Sequence, residues 1–166
     1  NRAGVYALLE TMKRIKSYDL NRTVYAVFSV KEEIGCIGAV VAANSIMPEE
    51  CIVIDATHAT DYPTCTPKIK GDIKINNGAV IGTGADISII VRDRLIQLAK
   101  KHSIKYQIEP IPRNSHTEAN VLQNTNIGIK TGILSIPCRY MHAPHEICGV
   151  DDINAIISLL ELYCRH

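Results

Sequence analysis

The stretch Cys51-Ile52-Val53-Ile54-Asp55-Ala56 decides the fold. Four apolar residues run without a break into a single carboxylate. Pro48 lies before the run, and a loop punctuated by Pro63, Pro67, Gly71 and Gly78 follows it over residues 58–78. So short an apolar run between breakers reads as a strand covered on both faces, as in parallel sheets. Upstream, Ala-rich residues 37–46 read as a buried helix stopped by Pro48, and β-branched and aromatic residues 23–30 as a strand. A polar turn at Asn21-Arg22 separates that strand from an amphipathic helix over residues 3–18, where Val5, Leu8, Leu9, Met12 and Ile15 recur at helical spacing. Downstream, strands are expected at 79–82, 106–110 and 132–136, and helices at 93–102, 117–124 and 151–163. Strands alternating with helices predict a three-layer α/β/α sandwich around a mostly parallel sheet.

The chain has 166 residues, 46% hydrophobic and 21% charged, with a formal net charge of +1. This suits a single globular domain. Nothing in the charge argues for nucleic acid, and no apolar run reaches the roughly 18 residues of a membrane span. The six cysteines include no CxxC pair and read as small core residues in a reducing compartment. The absence of an initiator Met, with a helical pattern starting almost at once, reads as a processed or truncated product.

Four polar groups fall at expected strand ends: Glu32-Glu33, Asp55, the loop 114–118, and His142 in RYMH. In parallel sheets such tips gather in one cleft if their strands are neighbours. Adjacent carboxylates repel and raise each other's pKa, which a divalent cation would relieve. One Glu then ligates while the other stays free as a general base. Such pairs also occur simply solvated. Asp55 closing an apolar strand needs a partner, either a metal or the backbone N–H groups of the next turn. Asp61 reads as a turn residue. A lone histidine is often structural, and His58, His102, His116, His145 and His166 compete with His142. Gly82–Asp86 is glycine-rich but lacks the Lys-Ser/Thr of a phosphate loop.

Taken together, NRAG (1–4) with Leu9-Glu10, VKEEIGCIGA (30–39), IDATHATDYP (54–63) and IPCRYMHAPHEICGVDDI (136–153) closely resemble the glutamyl/TET-type aminopeptidases. These are cytosolic co-catalytic metallopeptidases, often labelled endoglucanase or cellulase. The lack of Trp and the single Phe speak against a glycosidase.

The resemblance implies a phosphorylase/hydrolase-like metallopeptidase domain that cleaves N-terminal residues from peptides through a water activated by two divalent ions, Zn or Co. It makes Glu32 the general base, Glu33 and His142 ligands of one metal, and Asp55 a ligand of the other. His116, Arg139 and Tyr140 would face substrate. The family's remaining ligands, a bridging Asp just before Asn1 and a His further upstream, are expected outside this chain, as is the β-rich dimerisation domain between them. Residues 1–166 would then be the C-terminal part of a catalytic domain, inactive alone and part of a cytoplasmic homo-oligomer when intact. Where the family carries a GGTDA-like turn, this chain has Asn114-Ser115-His116-Thr117-Glu118-Ala119. Two other readings stay open: a catalytically dead packing domain, and a related amidohydrolase or deacylase.

Overall fold

A computed structural model describes residues 1–63 and 65–166, with backbone only at 69 and 70. Thr64, inside the expected loop, lies outside the described residues. The chain runs α1 (Arg2–Ile15), α2 (Ile37–Ile46), β1 (Glu50–His58), α3 (Pro67–Lys70), β2 (Ala79–Gly84), α4 (Ile89–Lys101), β3 (Tyr106–Ile111), α5 (Glu118–Leu122), β4 (Lys130–Arg139), β5 (Ile147–Cys148) and α6 (Val150–Arg165). Asn1 caps α1, its side chain accepting from the Gly4 N–H, and Thr117 caps α5 in the same way.

The sheet order is β1-β4-β2-β3, with β5 beside β4. The long pairings β1–β4 and β2–β3 are parallel, while β2 meets β4 antiparallel through Val80↔Ser135 and Ile81↔Leu134. The two parallel pairs therefore point in opposite directions.

Alternation along the strands sends successive side chains to opposite faces. On one face Ile81, Leu134 and Ile136 pack with Val91, Leu95 and Leu98 of α4 and with Ile156, Ile157 and Leu159 of α6, and Ala7 of α1 joins them. On the other face Val53 and Ile133 meet Ala39 and Ala43 of α2 and Ala119 and Leu122 of α5. This is the expected three-layer sandwich.

Three local expectations change. Residues 23–30 form no regular secondary structure and join no strand, and Tyr25, Val27, Phe28 and Val30 are exposed. Strand-forming side chains alone cannot satisfy a ladder without a neighbour. Helix α2 has the expected bounds but is half-covered, with only Ala39 and Ala43 buried and Val41 61% exposed. Strand β1 continues to His58 because β4 pairs with it that far, so Asp55 lies inside the strand, opposite Ser135. No described helix is long and apolar enough to cross a membrane.

Candidate functional site

Glu32 and Glu33 sit in a tight turn between the irregular segment 23–30 and α2. Gly35 and Cys36 both donate backbone N–H groups to the Glu32 carbonyl, and Ile37 donates to that of Lys31. Lys31 and Cys36 have positive φ, 61° and 55°. Non-glycine residues in that region are strained and persist where surrounding contacts over-determine them, commonly at functional turns. Gly38 is required here, since a Cβ would come within 2.6 Å of the Val30 backbone. Glu32 is half-buried and Glu33 exposed, so the pair is less enclosed than an apolar helix entry suggested.

Asp55 shares its face of the sheet with Val53, the face covered by α2 and α5. One oxygen accepts the Ala56 N–H at 2.8 Å. Burial pushes its carboxyl above the ordinary range, partly opposed by that bond. The Asn1 side chain donates to the Ile54 carbonyl at 3.3 Å, which places the start of α1 against β1.

Burial also raises Glu32, followed by the charges of Asp55, Glu33 and Glu118. The Cys36 thiol lies 3.8 Å from a Glu32 carboxylate oxygen and is pushed up to about 11, first by burial and then by Glu32. Glu32, Glu33, Asp55 and Glu118 thus share one electrostatic environment. The sequence offered no signal for Glu118 beyond its place after β3. Its carboxylate accepts a hydrogen bond from the Ser29 hydroxyl, tying the start of α5 to the segment before the Glu32 turn.

His142 stands at the carboxyl end of β4, exposed, with φ 65°. Its backbone N–H donates to Glu146 at 2.7 Å. Arg139 gives both Nε and Nη2 to Asp61, at 2.8 and 2.7 Å, and Tyr140 lies against Tyr62 with ring centroids 4.7 Å apart. Asp61, expected as a plain turn residue, is therefore an ion-pair partner. His116, exposed at φ 52°, follows Ser115, whose N–H donates to Asp86 just beyond β2. Because β2 and β3 oppose β4, that loop leaves the sheet at the end away from His142. The four expected tips therefore divide: Glu118 at the end of that loop stays within the field of Glu32 and Asp55, while His116 lies away from the His142 turn.

The donor chemistry of Glu32, Glu33 and Asp55 fits hard divalent cations. Among the described residues, no group of three or more His, Cys, Asp or Glu is placed to hold a metal ion. The carboxylates feel one another's charge, but neither they nor His142 form such a group. All six cysteines are free.

The profile of the M42 glutamyl aminopeptidase family matches residues 1–159. A lysyl aminopeptidase from Pyrococcus furiosus is 37% identical over 161 residues, covering 96% of this chain and 44% of the relative. An aminopeptidase from Desulfurococcus kamchatkensis superposes with TM-score 0.90 at 27% identity, over 100% of this chain and 47% of the other. The TET1 peptidase of Pyrococcus horikoshii, which assembles into a tetrahedron or a large octahedral shell, gives TM-score 0.83 at 30% identity, over 99% and 47%. The chain spans about half the length of the curated relatives it matches. On sequence and on fold, the chain belongs to the M42 glutamyl aminopeptidase family.

Proposed function

We propose that the intact protein is a cytoplasmic, metal-dependent aminopeptidase removing N-terminal residues from peptides, and that this chain supplies part of its active site. The observation that carries the reading is the gathering of Glu32, Glu33 and Asp55, with Glu118 beside them, on one face of the sheet of an M42 family member. Four carboxylates in one field favour cations, both metal ions and the α-ammonium of a substrate.

In this reading Glu33, Asp55 and His142 are ligands and Glu32 stays free. Two divalent ions, Zn or Co, would supply Lewis-acid polarisation and a more acidic water. Glu32 takes the proton of the attacking water and returns it to the departing amine. Its raised pKa suits that exchange, because a general base works best when poised near the working pH. Carboxylates around the free N-terminus make the cleavage exopeptidic. Tyr140 remains a candidate to line the substrate path beside His142, with Arg139 offering the one guanidinium nitrogen, Nη1, that Asp61 leaves free; His116, at the other end of the sheet, would meet only a more distant part of the substrate. Assembly into a homo-oligomer is part of the same proposal, after the P. horikoshii shell.

The test uses the intact protein and lysyl-anilide first, since one relative is a lysyl aminopeptidase. Chelator should abolish cleavage, and Zn or Co should restore it. Glu32→Gln should retain metal and lose about 10²–10⁴ in kcat. Activity indifferent to chelator would overturn the reading. A second reading, a packing domain without catalysis, draws on the lack of a three-ligand group among the described residues. Residues 1–166 alone are expected to show no turnover under either reading, so only the intact protein separates them.

A further inference from the structure

β1 and β4 stay paired through His58↔Cys138, and the Ala59 N–H still reaches the Cys138 carbonyl at 2.9 Å. Beyond this point both chains leave the sheet at the same end. One continues through Asp61 and Tyr62, the other through Arg139, Tyr140 and His142. They are joined again by side chains. Arg139 forms a bidentate pair with Asp61, and the Tyr62 and Tyr140 rings meet at 56°. A second anchor fixes the acid, since Asp61 Oδ2 also accepts the Ile75 N–H at 3.2 Å. The carboxylate side chain is only 15% exposed and that of Arg139 30%.

The turn beyond this junction is strained. Tyr140 and His142 both have positive φ, 60° and 65°, and the turn closes through Ala143 N–H donating to the Tyr140 carbonyl at 3.0 Å. Two non-glycine residues in that region cost energy and need an external hold. His142 itself is exposed, and its hydrogen bond to Glu146 is made by the backbone N–H. The nearest side-chain ion pair tying this turn to the β1 exit is that of Arg139, three residues back, with the Tyr140–Tyr62 contact beside it.

We infer that Asp61 is the positioning residue of the His142 turn. Through Arg139 it sets the direction in which the chain leaves β4, and so where the His142 imidazole can be presented. The assignment of a ligand role to His142 rests on the function proposed above; the clamp rests on geometry alone. A planar guanidinium gripped at two points fixes orientation as well as distance, which a single bond from lysine would not. Partners that orient a ligand in this way typically contribute 10–100-fold to metal affinity.

The experiment compares wild type with Asp61→Ala, Arg139→Lys, and the swap Asp61→Arg with Arg139→Asp, all in the intact protein. Hydrogen exchange is followed on the peptide spanning 139–146, metal affinity by chelator competition with Zn, and kcat and KM on lysyl-anilide. Asp61→Ala is expected to raise exchange in that peptide by about tenfold or more and to weaken Zn by about 10–100-fold. Loss should fall on kcat more than on KM, because a misplaced ligand harms chemistry before substrate contact. Arg139→Lys should be intermediate, and remains informative if Asp61→Ala fails to fold. The swap should recover part of the exchange protection. Unchanged exchange at 139–146 in a folded Asp61 or Arg139 variant would overturn the clamp. Faster exchange in the variants, alongside a wild type that binds no Zn, would instead uphold the clamp and remove the proposed function.

Discussion

The two faces of the sheet are built to different standards. One is sealed: Leu95, Leu134, Ile156 and Leu159 are fully buried between α1, α4, α6 and the strands. The other is thin. Helices α2 and α5 contribute mainly alanines to it, and Ile37 and Val41 of α2 remain exposed. Glu32, Asp55 and Glu118 all belong to the thin face, where desolvation is partial and charge is tolerated. The sealed face supplies rigidity, and the thin face keeps ionisable groups within reach of ligands. That division is the usual one between scaffold and site.

The comparison breaks most easily at its packed side. Leu95→Ala leaves a cavity beneath α4 and should cost about 2–5 kcal/mol, whereas Val41→Ala on α2 should stay within about 0.5 kcal/mol. Urea unfolding of both variants measures the contrast, and equal losses would erase it. A smaller effect is expected at the edge of the sealed face. Asp152 is fully buried in the first turn of α6 and accepts the Asn76 and Gly78 N–H groups, each at 2.7 Å. Asp152→Ala leaves those donors unpaired and should cost about 1–3 kcal/mol in the same assay.

The smallest effect concerns pH. Arg139 holds the Asp61 carboxyl below its ordinary value of 3.8. A depressed folded value means that the pair's stabilisation is complete above 3.8 and fades as pH falls through the lower folded value. Solvent reaches both side chains and screens the pair, which makes this the smallest of the three effects. Melting temperatures of wild type and Asp61→Asn should differ at pH 6 and converge only once the pH falls below the lowered folded value. A gap that persists in acid would mean that Asp61 acts through packing alone.

Much of the site's inventory was legible in the chain. The turn after Val30, the carboxylate within the 51–56 strand and the RYMH motif each declare themselves locally, because turns, apolar runs and caps depend on near neighbours. The bounds of α2 follow from alanine content and Pro48 for the same reason. Asp61 and Glu118 did not declare themselves. Asp61 looks like any acid before Tyr-Pro, and its partner Arg139 is 78 residues away. Glu118 meets Ser29 across 89 residues. No periodicity encodes such pairs.

Strand direction belongs to the same class. The apolar pattern of 79–84 is identical whether the strand runs with β4 or against it, so the sequence predicted strands and layers but could not orient them. Only the β2–β4 ladder sets the two parallel pairs in opposition, and with that sends the His116 loop and the His142 turn to different ends of the sheet. The residues 23–30 show the converse. Their β-branched and aromatic content favours a strand, yet a strand exists only where a neighbour takes up its hydrogen bonds. Composition and local pattern determined the elements, the family and the cast of reactive groups. Long-range pairing, which no local pattern records, decided which of those groups face one another.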